Sequence, residues 1–125
     1  MALFSFSKKE RLKNKVEIES LFSDGNRFFE YPFNVIWKVD SDSDTLLKIA
    51  VSVPKKKIPN ATERNKIKRL VREAFRKNKT IIQQALESKN VKLHLMLVYS
   101  QSNIKSISEI KDKISVTLQR LAEQV

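Results

Sequence analysis

The sequence predicts one α+β domain, with helices packed on one face of a small sheet. Three observations carry the prediction. Segments 33–40, 45–53 and 91–99 alternate with strand periodicity; three amphipathic segments with helical spacing lie around and between them; and 125 residues suffice for one core burying roughly two thirds of the unfolded surface. Counting Asn26 to Glu30 as a short fourth strand, the expected order is α-β-β-β-α-β-α, with three helices on a four-stranded sheet. No repeat, low-complexity tract or Pro/Gly-rich linker divides residues 1–125, and residues 1–8 are expected to be flexible.

The first helix is expected from about Asn14 to Asp24, where Ile18, Leu21 and Phe22 recur at helical spacing and Gly25 follows as a stop. In the strand from Phe33, the residues Phe33, Val35, Trp37 and Val39 share the core side, while Asn34, Ile36 and Lys38 share the other. In the next strand Leu47, Ile49, Val51 and Val53 form an apolar side, against Leu46, Lys48, Ala50 and Ser52. The acidic stretch Asp40-Ser41-Asp42-Ser43-Asp44 joins these strands as a solvated turn; it lacks the glycine and distal glutamate of a calcium loop. A second helix opens at Asn60 with Glu63 three residues on. Its residues Ile67, Leu70, Val71, Ala74 and Phe75 fall within one arc, opposite Asn65, Lys68, Arg69, Arg72 and Arg76. The last helix opens with Ser106 and Glu109 and carries the stripe Ile107, Ile110, Ile114, Leu118, Leu121, Val125.

Composition excludes several classes of function. With no cysteine there is no disulfide framework, thiolate nucleophile or cysteine-ligated metal. A single glycine excludes a P-loop or glycine-rich dinucleotide fingerprint, so no nucleotide cofactor is expected. The N-terminus lacks the basic and apolar regions of a signal peptide, and the longest apolar run, Leu95 to Tyr99, is far too short to span a bilayer. A cytoplasmic protein without membrane attachment is expected. His94, the one histidine, lies opposite Leu93, Leu95 and Leu97 without a sequence-evident partner, and is read as structural or surface; Trp37 is read as core.

What remains is charge. The formal net charge is +11, and residues 55–79 hold eleven basic side chains against Glu63 and Glu73, a surplus of nine in one fifth of the chain. Such a localised patch points to a polyanionic partner, because like charges at helical spacing repel and need a compensating ligand. Beside it, the mixed sheet face would form a cleft for an extended nucleic-acid strand, with apolar groups under bases and cations along phosphates.

The tract Arg64-Asn65-Lys66-x-Lys68-Arg69-x-x-Arg72-Glu73, preceded by a strand ending in Val53-Pro54-Lys55-Lys56-Lys57 and by Asn60-Ala61, resembles the protein component of bacterial ribonuclease P. Arg11-Leu12, Ile18, Phe22, Gly25, Phe33 and the final strand and helix extend the resemblance over about residues 9–122. It implies a four-stranded sheet with three helices and a left-handed β-α-β crossover. It also implies a ribonucleoprotein whose RNA subunit is the catalyst, with a protein that binds both that RNA and the 5′ leader of precursor tRNA and supplies no catalytic side chain. Magnesium would be held mainly by the RNA. Carried onto this chain, Arg64, Asn65, Lys66, Lys68, Arg69, Arg72, Arg76, Lys55, Lys56 and Lys57 would bind RNA, and Arg11, Ile18, Phe22, Ile36, Lys38 and Lys48 would form the leader cleft.

The chain departs from the family pattern in places. Lys66 keeps a charge but not the guanidinium fork, Pro59 replaces a small loop residue, and Ile18 and Ile36 stand where relatives tend to carry aromatics. Stacking would then rest mainly on Phe22, which the residues alone leave between a core and a ligand role. Rival readings are a non-catalytic structured-RNA binder of ribosomal or chaperone type and a DNA-binding factor. The second has only Asn65 as an evident base reader, and membrane attachment would need the apolar helix face that the core requires.

Overall fold

The computed structural model describes residues 10–103 and 105–125; the segment expected to be flexible, 1–8, lies outside them. The elements are α1 (Lys15–Asp24), β1 (Asn26–Glu30), β2 (Phe33–Val39), β3 (Leu47–Ser52), α2 (Ala61–Asn78), α3 (Thr80–Lys89), β4 (Leu93–Tyr99) and α4 (Ile107–Gln124). They form one four-stranded sheet in the order β1-β2-β4-β3. Strands β1/β2 and β2/β4 are antiparallel, while β3 runs parallel to β4 and reaches it through α2 and α3.

The helix starts follow from their caps. Asn14 Oδ1 accepts from the Val16 and Glu17 amides, Asn60 Oδ1 from Glu63 at 3.1 Å, and Ser106 Oγ from Glu109 at 3.2 Å, each satisfying donors the first turn leaves open. Gly25 ends α1 as expected, but not through a left-handed backbone: its φ is −72°. An added Cβ would lie 2.3 Å from the Leu21 carbonyl oxygen and 3.0 Å from Ile36, so no side chain fits where the chain leaves the last turn of α1 against β2.

Two expectations need correction. The helices do not share one face. Helices α2, α3 and α4 cover the side bearing Phe33, Val35, Trp37, Leu47, Ile49, Val51, Leu93, Leu95, Leu97 and Tyr99, and α1 lies on the other, where Leu12 and Leu21 bury Ile36 and Met96. That second side reads as mixed in the sequence, yet Ile36, Ala50, Met96 and Val98 make a strip wide enough to seat a short helix.

There are also four helices, not three. After α2 the chain turns at Lys79 and continues into α3, whose Ile82 and Leu86 are buried and whose end is Asn90 in the left-handed region at φ 55°. Lys79 is buried at this corner, 3.1 Å from the Glu10 carboxylate, so it drops out of the basic patch counted from sequence. At the periphery, Val39 and Ile107 are exposed although both lie on predicted apolar stripes.

Candidate nucleic-acid interface

Helix α2 divides as its periodicity requires. Ile67, Val71, Ala74 and Phe75 are buried in the main core, and Asn65, Lys66, Arg69 and Arg72 are exposed on the far side. Lys68 is half-buried between these two faces. Arg64, also half-buried, donates from Nη1 to the carbonyls of Ile58 (2.9 Å) and Pro59 (2.6 Å), locking the loop that enters the helix. In that loop Lys55, Lys56 and Lys57 are exposed on a turn closed by the Pro54 carbonyl and anchored by buried Ile58. Glu73 pairs with Arg76 through two hydrogen bonds and with Lys77 at 3.6 Å. The Arg76 hydrogen bond holds the Glu73 carboxyl below the usual range and raises the Arg76 guanidinium in turn.

Arg11 lies apart from the other residues predicted to form a leader cleft. Its backbone bridges to Ile49 on the β3 edge, and its side chain joins Asn65, Arg69, Arg72, Glu73 and Arg76 around an open groove of about 370 Å³. Four guanidinium groups, one carboxamide and the Glu73 carboxylate, itself engaged by Arg76, thus line a single concavity. Guanidinium forks match phosphate oxygens two at a time, so the excess of arginine here suits a phosphate-bearing partner.

The groove beside α1 is of different character. Phe22, Arg27, Phe28, Phe29, Asn34, Val35, Ile36 and Val98 line about 370 Å³. Ile36 is its floor, only 2% exposed, and Phe22 is its α1 wall at 44%. Arg27 donates to the Phe22 carbonyl and holds its guanidinium 5.8 Å from the ring centroid. Ile18 is half-buried against the small cluster beneath α1.

Lys38 and Lys48 are tied to α1. Lys38 donates to Ser20 Oγ at 2.7 Å and sits 3.7 Å from Asp24; Lys48 lies 3.3 Å from both Glu17 carboxylate oxygens and 3.5 Å from Asp44. Burial acts to lower the Lys48 pKa, but the hydrogen bonds and charges of Glu17 and Asp44 outweigh it, and the net shift is upward.

Sequence reasoning missed the company of His94. Its ring is buried on the α1 side, with Nε2 3.4 Å from Ser43 Oγ and 3.6 Å from Glu17, and Nδ1 3.8 Å from Asp40. Glu17, Asp40 and His94 come within 4.8 Å of one another, the spacing of a metal-ligand set. Lys48, 3.3 Å away, already supplies the counter-charge to Glu17. Glu17 thus ties α1 to Lys48 of β3 and to the His94 ring of β4.

Comparison with known proteins places this arrangement. Residues 6–122 match the family model for ribonuclease P, and a ribonuclease P protein component of Porphyromonas gingivalis is 31% identical over 125 residues, 99% of this chain and 91% of that protein. The chain belongs to the ribonuclease P protein family. A ribonuclease P protein component of Thermotoga petrophila is 36% identical over 83 residues, covering 66% of this chain and 68% of its own. The family fold is evident in solved structures at 23% identity. The RNase P protein of Staphylococcus aureus superposes with a TM-score of 0.72, covering 90% of this chain and 94% of that one, and that of Thermotoga maritima with 0.70, covering 89% and 96%. No helix among the described residues is long and apolar enough to cross a membrane.

Proposed function

We propose that this chain is the protein subunit of a ribonuclease P ribonucleoprotein. It binds a catalytic RNA and the 5′ leader of precursor tRNA, and so promotes endonucleolytic removal of the leader. The observation that carries the reading is the convergence of Arg11, Arg69, Arg72 and Arg76 on one groove, on the opposite side of α2 from the core. A separate, apolar, aromatic-walled groove at α1 suits an unpaired strand. In this reading the protein's two grooves hold polyanion and unpaired strand, and hydrolysis is the work of the RNA. Magnesium belongs there too: it demands oxygen ligands in near-octahedral array, and the Glu17–Asp40–His94 cluster, with Lys48 against it, does not fit.

Reconstitution tests the reading. The protein freed of RNA is expected to leave precursor tRNA intact, and addition of a bacterial ribonuclease P RNA is expected to give cleavage at lower magnesium than the RNA needs alone, because the cations neutralise phosphates near the substrate. Cleavage that survives exhaustive nuclease treatment of the protein would overturn it. Failure to lower the magnesium requirement, with RNA binding intact, would instead favour a non-catalytic structured-RNA binder.

Phe22 gives a sharper test of the α1 groove. Its exposure means that Phe22→Ala should leave the fold intact while weakening precursor binding by the worth of one stacked base, about 1–3 kcal/mol or roughly 5- to 150-fold. Mature tRNA, lacking a leader, should bind as before. Phe22→Leu, which keeps apolar bulk without a ring, should behave like the alanine variant; an unchanged preference for precursor over mature tRNA in both would remove Phe22 from the interface.

A further inference from the structure

The α1 groove has a second exposed aromatic wall, on β1. Phe29 is 52% exposed, more than Phe22, and lines the same concavity from the sheet edge. Strand alternation and register put Arg27 opposite Ile36 and Phe29 opposite Asn34, all four on the α1 side. The edge is held in place from behind: Arg120 of α4 donates to the Phe29 carbonyl at 3.0 Å and to Glu30 at 3.2 Å, and its guanidinium caps the Phe28 ring at 4.4 Å. Asn34 is exposed, and among the described residues its carboxamide has no hydrogen-bond partner. A half-exposed phenyl ring on a braced strand, flanked by an arginine and an unengaged carboxamide, is an unusual use of an edge that proteins normally blunt with charge.

We propose that Phe29 is a second stacking platform for the single-stranded leader, and that Asn34 beside it hydrogen-bonds the edge of the stacked base. The inference rests on the leader reading and extends it from one base position to two. Arg27, between the two rings, would face the linking phosphate. A carboxamide offers a donor and an acceptor side by side, so the Phe29 position should discriminate among bases by their hydrogen-bonding edges. Self-association through the β1 edge is the other use of such a surface. Arg27 on that edge and the net charge of +11 oppose a second copy and favour a polyanion.

The experiment uses the holoenzyme reconstituted with ribonuclease P RNA, and precursor tRNAs carrying one abasic site walked along the leader. Phe29→Ala should weaken precursor binding roughly 5- to 150-fold, leave mature tRNA binding and the melting temperature unchanged, and abolish the penalty of an abasic site at one leader position. Phe29→Trp should restore both binding and that penalty. Asn34→Val should keep stacking but flatten the preference among the four bases at the same position. The position affected by Phe22→Ala should be a different one.

If Phe22→Ala weakens precursor binding and Phe29→Ala does not, the second platform is wrong while the leader reading stands. If neither does, the leader reading itself falls. If Phe29→Ala converts a dimer to a monomer in sedimentation without altering precursor binding, the edge is a self-association surface and the proposal is overturned.

Discussion

Replacing Lys66, Arg69 and Arg72 together by alanine is expected to lower affinity for ribonuclease P RNA by about 10²–10⁴-fold while leaving the fold intact. Each side chain is exposed, and none of the three has a protein partner among the described residues. A charge-assisted contact to phosphate contributes about 1–2 kcal/mol net, so three lost contacts account for that range. The dependence of log affinity on log salt should fall by about two to three units, because each phosphate contact given up leaves roughly one counterion condensed. Thermal stability should hold or rise slightly, since Arg69 and Arg72 are like charges three residues apart on one helix. Arg64 is left out of the set because its guanidinium locks the Ile58–Pro59 loop. Isothermal titration across a salt series, with thermal melts of the free protein, reads all of this; collapse of the melt in the triple variant would mean the ridge is structural.

The ridge itself was legible in the sequence because helical periodicity sorts residues by face without knowledge of the partner element. The same holds for the three helix starts, each marked by Asn or Ser at the cap, and for the buried side of β2 and β3. Helix α3 was not legible. It begins at Thr80 directly after Lys79 with no capping side chain, and the Ile82–Leu86 pair that anchors it is one turn of stripe, too little to separate it from a loop. The placement of α1 was misread for a different reason. Alternation says which strand residues share a face but not how much apolar surface four strands assemble there, and Ile36, Ala50, Met96 and Val98 come from three strands.

What the sequence withheld about the site is long-range juxtaposition. Arg11 looks like a neighbour of α1, but the bridge from its backbone to Ile49 carries it to the opposite side of the β3 edge, into the company of Arg69 and Arg72. Lys38 and Lys48 look like free cations on a sheet face, and α1 supplies carboxylates to both. Phe29 sits in a segment too short to assign a face, and becomes part of a groove only once β1 pairs with β2. Two surfaces of distinct chemistry are thus built on one sheet, guanidinium-rich where Arg11 on the β3 edge meets α2, and aromatic where α1 meets the β1 edge.

Phe33→Ala is expected to have the largest effect on stability. Phe33 is fully buried where β2 meets both its neighbours: it pairs with Glu30 of β1 and Tyr99 of β4, and its ring meets the Tyr99 ring edge-on at 6.1 Å and 66°. Truncation of such a residue costs about 3–5 kcal/mol, a large share of the roughly 5–15 kcal/mol that holds a domain together, and should lower the melting temperature by on the order of 10–20 °C. Phe33→Leu, which keeps most of the volume, should cost about 1.5 kcal/mol or less. The Tyr99 hydroxyl offers an independent readout. Burial raises its pKa, while it donates to the Asn103 carbonyl at 2.7 Å. Because the folded-state pKa is raised, the fold should lose stability as pH climbs above the unfolded value near 10, the folded state then holding a proton that the unfolded chain releases. Opening a cavity beside the ring in Phe33→Ala should let water in, bring the tyrosinate absorbance change to lower pH and shrink that alkaline loss. A variant that melts within about 2 °C of the parent would show that the β1–β2–β4 junction closes around the void, and that Phe33 does not hold the sheet together.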